Sequence, residues 1–203
     1  MSLERWSALI LAGGAGRRFA KGGGGGKLLA DLGGAPVIRR VADAVVSVGF
    51  AEVIVITGAG DVGIRRALAG ADVSVCHAPG WAEGMAASLR TGVAAFSSKA
   101  AGVCVFLGDM PLVPMALCGP LIEAAERAGY AARPRCDGRP GHPVAFTRAA
   151  FADLLALEGD TGASALLSAQ GAGAAYLDTA ERGVLLDIDT PADLEAAAAA
   201  WKA

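Results

Sequence analysis

Two aspartates stand where apolar runs stop and a proline follows, in Gly108-Asp109-Met110-Pro111 and Asp187-Ile188-Asp189-Thr190-Pro191. A carboxylate delivered at the end of a buried strand suits Mg²⁺, which takes carboxylate oxygens together with substrate phosphates. An aspartate in such a place also serves as a turn or helix cap, and for Asp109 alone the two readings balance. Asp187 and Asp189 lie two apart, so in extended chain they share one face. One can reach the region of Asp109 while the other braces the loop; the plainer alternative is that both merely introduce the last helix. Asp109 and Asp189 taken together favour a metal site.

A second feature is basic and glycine-rich. Leu11-Ala12-Gly13-Gly14-Ala15-Gly16-Arg17-Arg18-Phe19 is followed by five glycines, 22–26, and Lys27. Glycines after a strand let backbone N–H groups surround phosphate oxygens. Arg18 and Lys27 are then placed to neutralise a polyphosphate. A Walker A loop would need Gly at 21 and Ser or Thr at 28, where this chain has Lys21 and Leu28. A dinucleotide fingerprint starting at Gly14 would need Gly at 19, which is Phe19. Five glycines alone would suit a solvated loop, but the bracketing Arg-Arg and Lys turn the balance toward phosphate.

Two further residues carry balanced readings. Ser88, in Gly84-Met85-Ala86-Ala87-Ser88-Leu89-Arg90, is one helical turn beyond Gly84. It reads equally as a tolerated helix residue or as a contact to base or sugar. His142, in Gly141-His142-Pro143, is most simply structural, yet beside a phosphate site it can meet an acceptor.

These residues need a scaffold that brings them together. Apolar runs predict strands at 6–12, 52–57, 73–77, 102–107, 130–134, 143–146, 174–177 and 185–188. Periodic or capped segments predict helices at 36–48, 61–69, 84–96, 114–128, 147–157 and 162–169, and one starting at Thr190-Pro191. Alternating strands and helices imply a doubly wound, mostly parallel α/β sheet, with 130–146 as a small antiparallel excursion. Ligands of such sheets bind beyond the carboxyl ends of the strands, where these motifs fall.

Composition narrows the function classes. The 203 residues are 54% hydrophobic and only 5% aromatic, which suits one core of Ala, Val, Leu and Ile in a single domain, 1–203. A net charge of −2 gives no electrostatic footprint for nucleic acid. Mean hydropathy is +0.47, but charges interrupt every apolar run before membrane-spanning length. The first residues, carrying Glu4 and Arg5, do not read as a signal peptide. Four cysteines without a C-x-x-C pair, and only two histidines, disfavour zinc and fit a reducing cytoplasm.

Together the motifs resemble the nucleotidyltransferase superfamily that activates sugar phosphates and pterin cofactors. Its members open with Leu-Ala-(Ala/Gly)-Gly-x-(Ser/Gly)-x-Arg-(Met/Phe)-Gly-x-x-Lys. Leu11 to Phe19 follow that pattern, Arg18 is the motif arginine, and Lys27 aligns through Leu28-Leu29. Ala20 replaces the usual glycine and the loop is lengthened by glycines, which leaves Lys21 a weaker candidate for the role of Lys27. Within the superfamily the chain is most similar to molybdenum cofactor cytidylyltransferases, in segments 81–89, 107–111, 141–144, 159–163 and 186–191. Guanylyl-transferring cousins usually carry Gly-Pro-Leu-x-Gly where this chain has Gly84 to Ser88, which favours cytidine. Leu11-Ala12-Gly13-Gly14 is instead the form common in the guanine users, and Ser164 stands where the family often has Arg.

The resemblance implies a Rossmann-like nucleotidyltransferase fold, three layers α/β/α. It implies transfer of CMP from CTP to a phosphorylated, pterin-type molybdenum cofactor, with release of pyrophosphate. Mg²⁺ would be held by Asp109 and Asp189. Arg18 and Lys27 would act with Asp109 in catalysis by gripping the leaving phosphates. Leu11, Ala12, Gly13, Gly14, Gly16, Gly84 and Ser88 would line the nucleotide, while His142 and Asp160 would face the acceptor. A molybdoenzyme or its maturation factor would receive the product. The same scaffold serves guanylyl transfer or a sugar-phosphate or methylerythritol-phosphate acceptor. A non-catalytic nucleotide-binding chaperone is the alternative that intact Asp109 and Asp189 argue against.

Overall fold

A strand with apolar side chains on both faces is stable only when layers cover it on both sides. Strand β1 (Trp6–Ala12) is such a strand, with Ala8, Leu9 and Ile10 fully buried. The computed structural model describes residues 3–14, 19, 26–96, 99–159 and 163–201. Among them, β1 lies at the centre of a sheet of eight strands. It pairs in parallel with β2 (Glu52–Thr57) on one side and with β4 (Gly102–Leu107) on the other. β3 (Ser74–His77) extends the sheet beyond β2, also in parallel.

Beyond β4 the direction changes. β7 (Val144–Thr147) runs antiparallel to β4 and to β5 (Ala131–Cys136), and β6 (Arg139–Pro140) closes a hairpin with β5. β8 (Ala174–Asp178) adds to β5 in parallel. The path β3-β2-β1-β4-β7-β5-β6 therefore moves outward in both directions from β1. That reversal between β1 and β4 is where an open α/β sheet leaves a crevice at its carboxyl end.

The alternation of β1 sorts the helices into two layers. Ala8, Ile10 and Ala12 share one core with α1 (Val37–Val46), α2 (Asp61–Ala67) and α4 (Cys118–Ala128). Leu9 faces the other core, built from α3 (Met85–Ala95), α5 (Phe151–Leu155) and α6 (Ser164–Ala169). The result is a three-layer α/β/α architecture with a mostly parallel sheet and a small antiparallel portion. Where β1 meets β4 the layers are close: a methyl group on Gly102 would stand 2.5 Å from the Trp6 ring. A third, smaller cluster (Phe19, Leu32, Val37, Ile188 and Ala197) docks α7 (Pro191–Trp201) against the crevice side.

The strand expected at 185–188 does not form. Arg182–Leu185 is a 3₁₀ turn, and residues 186–189 follow it without a ladder. Its backbone partners are loops: Ile188 N–H donates to the Asp109 carbonyl (2.9 Å), and His142 N–H donates to the Val184 carbonyl (2.9 Å). The expected helix at 147–157 is also shorter. Thr147 is still paired with Gly102 in the sheet, and a 3₁₀ turn precedes α5.

Candidate active site

Strand ends and one C-terminal loop supply the site. At the crevice the Gly108 N–H donates to the Leu11 carbonyl (2.9 Å), so the segments leaving β1 and β4 are tied side by side. Asp109 follows directly. The C-terminal loop is tied to it by the Ile188–Asp109 backbone bond. Ile188 is buried, and the alternation of extended chain then turns Asp187 and Asp189 the opposite way.

A cap holds this loop from the far side. The Asp193 carboxylate accepts from the N–H groups of Asp189 (3.1 Å) and Thr190 (2.7 Å) and from the Thr190 hydroxyl (2.8 Å). The Asp193 N–H donates back to Thr190 Oγ1 (3.3 Å), the reciprocal arrangement of a capping box at the start of α7. The Thr190 contacts, side chain first and then backbone, hold the Asp193 carboxyl below its ordinary range.

Oxygen atoms of Asp109, Asp187 and Asp189 all lie within 4.8 Å of one another. Lys27, at the start of a 3₁₀ turn (Lys27–Leu29) pinned by buried Leu28, sends its ammonium between two of them. Nζ is 2.5 Å from Asp109 Oδ2 and 2.6 Å from Asp189 Oδ1. Burial alone would lower the Lys27 pKa. The Asp109 charge, with hydrogen bonds to both carboxylates, outweighs it and raises the value.

The acidic group fits a hard divalent cation. Its donors are carboxylate oxygens, and around an octahedral Mg²⁺ adjacent ligands stand about 3 Å apart and opposite ones about 4 Å, so the three side chains would have to draw together to share one ion. The ammonium already held by Asp109 and Asp189 stands in for a cation there.

The remaining candidates divide. Ser88 is buried in α3 and lies against Gly13: a Cβ placed on Gly13 would stand 3.0 Å from Ser88 Oγ. Leu11, Ala12, Gly13 and Gly14 run along the end of β1 into the crevice. Gly84 precedes α3 with φ 124°, a conformation that selects glycine without any ligand. His142 sits at the edge next to β4, with its Nδ1 buried and lacking a hydrogen-bond partner. Burial, then the nearby Arg133 charge, push its pKa down to about 4 despite a bond to the Val105 carbonyl. Gly16, Arg18, Lys21 and Asp160 lie outside the described residues. Asp187 was read from the sequence as a brace; its place in the acidic group was signalled only by its two-residue spacing from Asp189.

Carboxylates and a lysine brought together at a strand-order reversal suit transfer between polyanions whose charge must be cancelled. The protein is a nucleotidyltransferase. The chain belongs to the family of MobA-like NTP transferase domains, whose profile matches residues 8–175. Among solved structures, Rv0371c from Mycobacterium tuberculosis H37Rv is 27% identical with a TM-score of 0.80, over 94% of this chain and 96% of that one. A complex of the same protein with manganese, also 27% identical, has a TM-score of 0.76 over 96% and 97% of the two chains. Molybdopterin-guanine dinucleotide biosynthesis protein A from Archaeoglobus fulgidus, at 19% identity, shares the fold with a TM-score of 0.68 over 97% and 98%. Among curated proteins no sequence matches significantly.

Proposed function

We propose that this protein transfers CMP from CTP to the phosphate of a molybdopterin-type molybdenum cofactor, releasing pyrophosphate. The observation that carries the catalytic part is the convergence of Asp109, Asp187 and Asp189 at the sheet crevice, with Lys27 paired to Asp109 and Asp189. Asp109 and Asp189, with Asp187 beside them, are the residues to hold Mg²⁺. When bound, that ion supplies charge neutralisation at the α-phosphate.

The chain's own groups do the rest. Backbone N–H groups of Gly13, Gly14 and Gly16 receive the triphosphate, and Arg18 with Lys27 neutralises the leaving phosphates. Leu11, Ala12 and Gly84 shape the nucleoside side, with Ser88 beneath it. Neutral His142 and Asp160 shape the acceptor side. An acceptor phosphate is already ionised, so attack in line with the leaving pyrophosphate needs positioning and not a general base. Cytidine is favoured by Gly84-Met85-Ala86-Ala87-Ser88. A methyl group on the guanine-type glycine at 13 would stand 3.0 Å from Ser88 Oγ, which supplies a packing reason for glycine that does not involve the base. Four free cysteines, three of them buried, suit a reaction in the reducing cytoplasm, with a molybdoenzyme or its maturation factor as recipient.

The test is pyrophosphate release with each NTP and Mg²⁺ against a panel of acceptors. CTP with the pterin cofactor should be fastest; a preference for GTP or for a sugar phosphate refutes the assignment of that substrate. Asp109→Asn should cost on the order of a thousandfold in turnover while the fold persists. A near-normal rate in that variant removes Asp109 from the machinery.

A further inference from the structure

The acidic group carries three carboxylates, and in the free protein Lys27 supplies a cation to two of them. Its ammonium contacts Asp109 Oδ2 and Asp189 Oδ1 and so lies between the two side chains. A divalent ion bridging those side chains must stand about 2 Å from one oxygen of each carboxylate, within the space the ammonium takes up between them. An ammonium and a dication cannot share that space, and their repulsion at such separation is strong in a half-buried site.

We infer that Lys27 is the resident cation of the acidic group, and that a divalent ion enters by displacing it. The inference rests on the metal reading proposed above. Displacement leaves an ammonium needing an anion, and the polyphosphate of the nucleotide is the anion at hand. Ion and nucleotide therefore bind cooperatively: each removes a cost the other would bear alone, and the coupling is reciprocal. Asp187 gives the ion its first foothold. It is exposed at the rim, and Lys27 pairs with the other two acids, so this carboxylate is open to solvent before exchange occurs. The lysine thus does two jobs at different times. It neutralises the acids before a divalent ion enters and the polyphosphate afterwards, so without nucleotide the protein does not hold a divalent ion tightly.

The experiment measures Mn²⁺ binding without nucleotide, from the loss of the free-ion paramagnetic resonance signal. The full chain is compared with Lys27→Met and with Lys27→Met/Asp109→Asn. Lys27→Met should bind Mn²⁺ at least about tenfold more tightly than the native chain, the low end of what one charge-assisted contact is worth. The double variant should lose that gain. Equal or weaker binding in Lys27→Met, abolished by Asp109→Asn, overturns the displacement while leaving the metal site intact. Failure of every form to bind Mn²⁺, with CTP present or absent, overturns the metal reading and this inference with it. Crowded carboxylates can unfold Lys27→Met, so the native chain supplies a second readout. The ¹⁵N resonance of the Lys27 ammonium should shift as Mg²⁺ is titrated, and an unmoved resonance at saturating Mg²⁺ overturns the exchange.

Discussion

Replacing Gly13 with alanine tests whether that glycine serves the base or the packing. The Cβ would stand 3.0 Å from Ser88 Oγ, while the next atoms, Gly58 N and Thr57 C, are at 3.8 and 3.9 Å. One atom pair therefore sets the penalty. Ser88 cannot retreat far, because Ala86, Ala87 and Leu89 on either side of it are buried in the same helix. Overpacking costs about 1–3 kcal/mol, and a single overlap of a few tenths of an ångström belongs at the low end. Against it stands a gain of about 0.4–1 kcal/mol from the smaller conformational freedom of unfolded alanine. That gain is available because Gly13 is not among the glycines with positive φ. Gly13→Ala should thus destabilise the native chain by up to about 1 kcal/mol, and stabilise a Ser88→Ala background by about 0.4–1 kcal/mol. Urea unfolding of the four proteins, compared by midpoint at constant slope, reads the sign change directly. If the two substitutions add to within about 0.3 kcal/mol, Ser88 is not what excludes the methyl group. The doubly substituted enzyme should also keep the nucleotide preference of the native one; a switch in preference returns Gly13 to the base.

Other expectations follow from packing and titration. Gly92→Ala would drive a Cβ into the Leu9 side chain, which is fully buried, so thermal melts should show a loss of about 1–3 kcal/mol. His142 titrates near 4 when folded and near 6.5 when unfolded, so the folded state disfavours its proton. The stability it contributes is present above pH 6.5 and is lost as pH falls through about 4; stability curves of His142→Gln should lack that component. Tyr130 behaves in the opposite sense. Burial, then the hydrogen bond to Asp153, push its hydroxyl up to about 12. Its contribution is complete below pH 10 and is lost as pH rises through 12. Absorbance titration of the phenolate should show this late component, and Tyr130→Phe should remove it.

Much of the scaffold was legible because parallel strands leave an unambiguous trace. Runs such as Leu9-Ile10 and Val103-Cys104-Val105-Phe106 are apolar on both faces, and their spacing with intervening helices leaves few topologies. The crevice followed from glycine and aspartate at the strand ends. Leu185–Ile188 misled for a definite reason: it is apolar enough for a strand but lies beside loops, so its hydrogen bonds go to Asp109 and not to a ladder. Composition cannot distinguish those two destinations for an extended backbone. The Lys27 ion pairs were equally hidden. A lysine beside glycines signals phosphate, and only tertiary placement shows that two aspartates, from residues 109 and 189, compete for the same ammonium. Gly84 carried a different ambiguity, because a motif glycine can serve a ligand or a φ of 124°, and the sequence is the same for both.

The acids are held in place by residues outside the acidic group. Asp109 is fixed by the strand that precedes it, but Asp187 and Asp189 belong to a loop with no sheet neighbours, and something else must hold them. Three contacts do so: buried Ile188 between them, the backbone bond from Ile188 to Asp109, and the Asp193 cap that receives the Asp189 N–H. Ile188 belongs to the same apolar cluster as Leu32, Val37 and Ala197, so docking of α7 and placement of two acids are one packing event. The electrostatics then follow from the packing. Three carboxylates forced together repel unless a cation joins them, and Lys27 comes from the segment just before Leu32, which the same cluster anchors. A small apolar cluster thus assembles both signs of charge at once, which is why the acids and the lysine can be so far apart in sequence and meet at 2.5 and 2.6 Å.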